Sequence, residues 1–261
     1  YQQFTQRKAA ERASLICPQV LGIDEHSIHT KKRFATTLCD LANHRVFDVV
    51  EGRSTKDLSA FLMRLKGRDK VKMVCIDLSS PYRHLIRRFF PNAKIVADRF
   101  HVVRVVQNHF MTLFRELEPE VKNHRGYLTA LRTKKGNLSE KALSKLRQLF
   151  AKNPALRVIY DQMQRVLSLL RKKAQTARQC RKLARRLLKV ITELRDCSFK
   201  PILTLAETMR SWQNEIACMW RFTKSNGITE GFHRKMKLIQ RRAFGFRNFE
   251  NYRLRVIAEC G

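Results

Sequence analysis

Asp24 ends the apolar run Val20-Leu21-Gly22-Ile23, Asp77 ends Met73-Val74-Cys75-Ile76, and Glu230 opens a basic segment far downstream. An ionised carboxylate beside buried surface is costly unless it is paired, hydrogen-bonded or bound to metal, so the repeated apolar-apolar-Asp ending suggests one shared site. A divalent cation would satisfy such oxygens, and cleavage of a phosphodiester is the chemistry it would serve. At about 100° per residue, Glu230, Arg234, Lys237 and Arg241 fall on one helix face, and Phe232, Met236, Ile239 and Ala243 on the opposite one. The second face would pack; the first would offer an acid followed by phosphate-binding cations. Ordinary roles compete for the same residues: each Asp could cap a loop, and Glu230 could serve only the positive end of its own helix.

The balance of charge points the same way. Lys and Arg number 54 against 22 Asp and Glu, a net charge of +32, which makes a polyanion the expected partner and nucleic acid the leading one. Anionic membrane is the rival, but no apolar run approaches the roughly 18 residues of a membrane span and no signal peptide precedes the first strand. A soluble, cytoplasmic protein without a membrane partner is therefore expected. Tyr1 stands where an initiator Met would, so the sequence reads as a piece of a longer chain with a DNA-reading region upstream. The seven cysteines include no C-x-x-C pair, so neither a zinc site nor a disulfide framework is indicated; Cys39 and Cys75 fit a core.

To bring Asp24 and Asp77 together, the flanking elements must form a sheet. Residues 20–24, 34–40 and 46–50 read as strands joined by short polar stretches, an antiparallel meander. Ser54-Thr55-Lys56-Asp57 is a capped helix start with Leu58, Phe61, Leu62 and Leu65 at helical spacing. Residues 72–77 form a fourth strand, Ser80-Pro81 opens a helix over 81–90, and 94–97 make a fifth strand. The order βββαβαβ is that of an α/β fold, with both Asp residues ending strands that a helical crossover would make parallel. Asp98, just past the fifth strand, competes with Asp77; an adjacent strand lies about 4.8 Å away and the next about 10 Å, so the acid whose strand neighbours that of Asp24 is the one able to share its metal. His101, three residues on, could orient a water, contact phosphate, or simply cap a helix.

Residues 100–222 show helical periodicity over 100–117, 139–150, 155–194 and 202–222. The stretch 171–189 carries nine basic residues and no acid. A merely solvated face usually mixes both signs, so Lys172, Lys173, Arg178, Arg181, Lys182, Arg185 and Arg186 read as phosphate contacts. Trp212 and Trp220, eight apart on one expected helix, should pack inside this block. Near the end of the chain Phe244, Phe246, Phe249 and Tyr252 interleave with Arg241, Arg242, Arg247 and Arg253, a pattern that suits base stacking, although core packing explains most of these rings.

The ordered set Leu21-Gly22-Ile23-Asp24-Glu25, Ile76-Asp77-Leu78-Ser79 with Tyr82, Asp98-Arg99-Phe100-His101-Val102, Ser225-Asn226 with Glu230-Gly231, and Arg241-Arg242-Ala243-Phe244-Gly245-Phe246-Arg247-Asn248-Phe249 resembles the DDE transposase domain of the ISL3 family of bacterial insertion sequences. The resemblance covers residues 20–257. It implies an RNase H-like mixed five-stranded sheet with flanking helices: a lead-in over 1–17, a first core part over 18–104, an all-α insertion over 105–222, and the last acidic helix with the C-terminal segment over 223–261. It makes Asp24, Asp77 and Glu230 both the catalytic residues and the ligands of Mg²⁺, with Mn²⁺ able to substitute. Asp98, His101 and His233 would lie beside the metal or on phosphate, and Arg234, Lys237, Arg241, Arg242 and Arg247 would join the basic stretch in binding DNA.

The activity so implied is hydrolysis at transposon ends followed by attack of the freed 3′-OH on target DNA, in a homodimer or larger synaptic assembly associated with the bacterial nucleoid. Two departures stand out: members usually carry an N-terminal zinc-binding and helix-turn-helix region that has no counterpart here, and position 233 is His where relatives often have Asn. A structure-selective nuclease of the same fold, or a DNA-binding protein derived from a transposase, are the alternative readings; the second should have lost an acid.

Overall fold

The computed structural model describes residues 16–28, 33–222 and 226–261, which form two compact units: the described residues up to Phe100 together with those from Phe222 on, and residues 101–221. Most of the lead-in, as well as Ser225, lies outside the described residues. The first unit is built on β1 (Val20–Ile28), β2 (Arg33–Asp40), β3 (Arg45–Glu51), β4 (Met73–Ile76) and β5 (Lys94–Ala97), in the order β3-β2-β1-β4-β5. The first three strands run antiparallel and β1, β4 and β5 run parallel, so the sheet is mixed and the fold is α/β of RNase H-like arrangement. All four residues of β4 are buried, as a central parallel strand covered on both faces requires.

The helix α1 (Thr55–Arg64) starts at the capping box expected of its sequence: Ser54 accepts from the Asp57 amide while Asp57 accepts from the Ser54 amide. It packs on β3 and on α2 (Ser80–Phe89), which covers β4. Ser79 rather than Ser80 occupies the N-cap position of α2, and Pro81 is its second residue. Either position suits proline, because the first-turn N–H groups have no partner inside the helix.

The second unit is helical throughout its described residues: α3 (Arg99–Leu117), α4 (Pro119–Asn123), α5 (Arg125–Arg132), α6 (Glu140–Lys152), α7 (Ala155–Leu170), α8 (Ala177–Arg195), α9 (Lys200–Ser211) and α10 (Gln213–Arg221). Two expected helices are in fact broken. The segment 155–194 divides because Thr176 and Gln179 form a capping box that starts α8 afresh, after Ala174 turns through a left-handed φ of 52°. The segment 202–222 divides at Trp212, so the two tryptophans sit on different stretches; both are buried, and the Trp220 indole donates to the Leu169 carbonyl at 3.1 Å. Leu183, Leu187, Val190, Ile191 and Leu194 form the buried stripe with which α8 packs on α9 and α10. Among the described residues no helix is long and apolar enough to cross a membrane.

The chain then returns to the first unit with α11 (Gly227–Arg242), packed on β1, and α12 (Phe249–Cys260), packed on β3. Met236 and Ile239 of α11 are buried, on the face that the apolar spacing marks for packing. At its end the amides of Phe244 and Gly245 bond back to the carbonyls of Arg241 and Gln240. This double closure puts Phe244 at φ 51°, a position where glycine is usual and another residue costs about 1–2 kcal/mol. Beyond this turn, Tyr252 is fully buried with the rings of Phe246 and Phe249 at 5.4 and 6.0 Å.

Arg253 secures α12 to β3 by two parallel hydrogen bonds to Asp48, at 2.6 and 2.8 Å, and Asp48 raises its already high pKa. Replacing Asp48 by Ala removes both bonds and leaves that half-buried guanidinium with Glu250 alone. Urea denaturation should show a loss of about 1–3 kcal/mol, and an unchanged midpoint would show that the pair does not secure the helix.

Candidate active site

Side chains alternate across a strand, so Gly22, Asp24 and His26 of β1 share one sheet face, the face that α11 and α12 cover. The parallel ladder between β1 and β4 ends at the pair Gly22–Cys75. Asp24 and Asp77 each lie two residues further on and so belong to the same face, at the carboxyl ends of that ladder. Between β4 and β5 the last pair is Ile76–Ala97, which puts Asp98 level with Asp77 but one strand further from Asp24.

Asp24 does not end its strand, as the apolar run suggests; β1 continues to Ile28. Its other edge keeps pairing with β2, from Asp24–Thr37 to Ile28–Arg33, after the partner strand β4 has stopped.

One side chain that sequence reasoning gave no role fastens the acidic helix here. Asn226, at the N-terminus of α11, donates its amide Nδ2 to the Ile23 carbonyl at 3.1 Å and, weakly, to the Cys75 carbonyl at 3.5 Å. Its backbone N–H donates to Asp98 Oδ1 at 3.2 Å, so the buried Asp98 holds this helix start. Gly22 makes room: a Cβ there would stand 2.5 Å from Asn226 Oδ1 and 2.8 Å from Leu41.

Glu230 follows Asn226 by one turn, but its carboxylate is half-exposed and 3.7 Å from Arg234. Among the described residues no set of three His, Cys, Asp or Glu side chains is gathered as a metal ligand group. The carboxylate donors on β1, β4 and α11 nonetheless have the right chemistry for a hard cation such as Mg²⁺, which takes oxygen ligands.

Behind Asp24 runs a buried polar chain. His233 Nδ1 is 3.8 Å from Asp24 Oδ2, and its Nε2 lies 3.1 Å from the Thr37 hydroxyl. That hydroxyl is 2.9 Å from His26 Nδ1, and His26 Nε2 is 2.7 Å from the Tyr252 hydroxyl. With both rings neutral and Nδ1 of His233 directing its proton to the carboxylate, one arrangement uses every group: Tyr252 donates to His26, His26 to Thr37, and Thr37 to His233. Burial, then His233 and Lys237, push the His26 pKa down to about 3, which keeps that ring neutral.

The remaining candidates are distributed between the units. His101 lies half-buried in the first turns of α3. On α11 and just after it, Lys237, Arg241, Arg242 and Arg247 are exposed, as is Arg234 at 82% of its side chain. In the helical unit, Lys172 and Lys173 are exposed in the loop before α8, and Arg178, Arg181, Lys182, Arg185 and Arg186 are exposed along it. Apart from the Glu230–Arg234 contact, none of these cations forms an ion pair among the described residues, unlike Arg165, which is held 2.6 Å from Glu193.

Residues 21–256 match the family model of the ISL3-type DDE transposases, described as a transposase. The chain is 27% identical over 272 aligned positions to the transposase for insertion sequence element IS1001 of Bordetella parapertussis; the alignment covers 96% of this chain and 64% of that protein. The chain thus spans less than two thirds of this relative's length.

Because the folded-state pKa of His26 is depressed below its unfolded value of about 6.5, its burial is fully favourable above that pH. Between pH 6.5 and 3 the unfolded chain takes up a proton that the folded chain refuses, so stability falls with pH by up to about 1.4 kcal/mol per unit from this group. Urea unfolding without divalent cations at pH 7.5 and 4.5 should lose less stability in His26→Gln than in the parent; equal losses would contradict the assignment. Gly22→Ala should lower stability by about 1–3 kcal/mol by pushing out Asn226, and an unaffected unfolding midpoint would show that the helix start is not held there.

Proposed function

The chain belongs to the ISL3 family of transposases, and we propose that its sheet unit is the catalytic domain that cuts DNA at transposon ends and joins the freed 3′-OH to target DNA. The observation that carries this reading is the register of the sheet, which brings Asp24 and Asp77 to one face of adjacent parallel strands, with the start of the Glu230 helix fastened beside them by Asn226. Asp24, Asp77 and Glu230 would hold Mg²⁺, or Mn²⁺ in its place. Bound there, the cations would neutralise charge on the scissile phosphate and acidify a water.

The chain's own residues supply position and charge. His233 sets the orientation of Asp24, while Arg234, once released by Glu230, offers its guanidinium to a phosphate. In hydrolysis, water attacks phosphorus, the 3′ oxygen leaves with a proton, and the phosphate stays on the 5′ end. In strand transfer the 3′-OH replaces water at a target phosphate, so no covalent bond to protein forms. Lys237, Arg241, Arg242 and Arg247 bind DNA near the cut, and Lys172, Lys173 and the α8 row bind phosphates at a distance. Joining two ends requires two active sites, hence a homodimer or larger synaptic assembly, working on the bacterial nucleoid.

Asp24→Asn, Asp77→Asn and Glu230→Gln should each abolish nicking in Mg²⁺ or Mn²⁺ while duplex binding by gel shift stays within a few fold. A variant that binds and still cuts removes that residue from the triad, and cutting without end joining would favour a structure-selective nuclease. In the same binding assay, neutralising Arg178, Arg181, Lys182 and Arg185 should reduce the slope of log K against log salt by about 0.9 for each phosphate that no longer meets a cation.

A further inference from the structure

At the carboxyl end of α11 an unfavourable backbone conformation holds an aromatic ring in water. Phe244 takes a φ of 51° and Gly245 a φ of 97°, and their amides close the turn on Arg241 and Gln240. Glycine at position 244 would close the same turn without steric conflict. The core does not explain the phenyl group either: Phe246 and Phe249 lie against Tyr252, whereas Phe244 is 101% exposed. A strained residue whose side chain packs on none of the described residues points to a ligand-facing position.

The surroundings identify the ligand. Arg241, Arg242 and Arg247, all exposed, flank the ring within three residues and have no acidic partner among the described residues. The same patch on a second copy would bring like charge against these arginines, so it does not complement them. An aromatic face among unpaired guanidiniums instead suits a nucleic acid strand, whose bases stack on the ring while its phosphates meet the arginines. A paired base inside a duplex hides its faces, so the base that stacks must be unpaired.

We propose that Phe244 is a stacking platform for an unpaired base at an opened DNA end, with Arg241, Arg242 and Arg247 on the adjoining phosphates. This rests on the reading of the chain as a DNA-cutting transposase and adds to it where the DNA must open. Phe244 follows Glu230 by fourteen residues, about 20 Å along a helix at 1.5 Å per residue. The ring therefore acts on DNA flanking the cut and not at the reacting phosphate.

The test uses the full chain in EDTA with two probes: a duplex ending in an unpaired arm that carries 2-aminopurine, and the same duplex fully paired. The parent protein should quench the arm's fluorescence and bind the forked probe about 10-fold more tightly than the paired one, the size of one base–aromatic stack. Phe244→Trp should keep both properties; Phe244→Ala and Phe244→Gly should lose both. Phe244→Gly should also melt at a higher temperature than the parent, which separates lost stacking from lost folding. Quenching and fork preference that survive in the Gly and Ala variants would overturn the proposal. Salt-dependent duplex binding by the parent without quenching would overturn it alone, leaving the transposase reading intact. Failure to bind either probe would remove that reading and this one together. Self-association that disappears in Phe244→Ala while DNA binding is unchanged would assign the ring to a second copy instead.

Discussion

The amide of Asn226 joins the last acidic helix to the sheet, and the rest of the candidate site depends on that joint. Its Nδ2 reaches the carbonyls of Ile23 and Cys75, one on each of two neighbouring strands, while its backbone N–H is held by Asp98 from the third. Backbone carbonyls just beyond the end of a parallel ladder have no strand partner, and buried ones need a donor. Asn226 supplies it and thereby fixes where α11 begins. The Cβ-less Gly22 is the steric condition for this arrangement, since any larger side chain would occupy the space of the amide oxygen.

From that anchor, the helix period distributes the functional groups. Thr229, Met236 and Ile239 turn into the core, while Glu230 and Arg234 turn outward. His233 falls between, close enough to the sheet to meet both Thr37 and Asp24. A neutral His26 and a buried Tyr252 complete the chain behind it. From His233 to Tyr252 each side chain on this path meets the next within hydrogen-bond distance, so the rings behind Asp24 keep polar partners although they are buried.

The two units divide the electrostatic work differently. On α11 the cations sit beside an acid, and Arg234 is engaged by Glu230. On α8 Arg178, Arg181, Lys182, Arg185 and Arg186 lie exposed opposite a leucine-rich stripe, with no ion pair among the described residues. Unneutralised charge raises the local concentration of a polyanion and speeds its arrival without specifying its sequence.

The sequence by itself determined the element order, the mixed sheet, the capped start of α1, the packing face of α11 and the family, because each of these is written in local periodicity, capping residues or contiguous motifs. It also singled out Asp24, Asp77 and Glu230 as unusual acids. It misread Asp24 as a strand end, because an apolar run shows where burial stops and not where the pairing with β2 stops. The charge density of 171–189 masked the Thr176–Gln179 capping box that divides the helix, although that signal was present. Only the tertiary structure decided the roles of Asn226, Thr37, His26 and Tyr252, whose partners lie up to 226 positions away. Nor could composition tell which ring of the Phe-Arg block stays in water: the turn that closes α11 leaves Phe244 exposed, whereas the packing of α12 buries Tyr252.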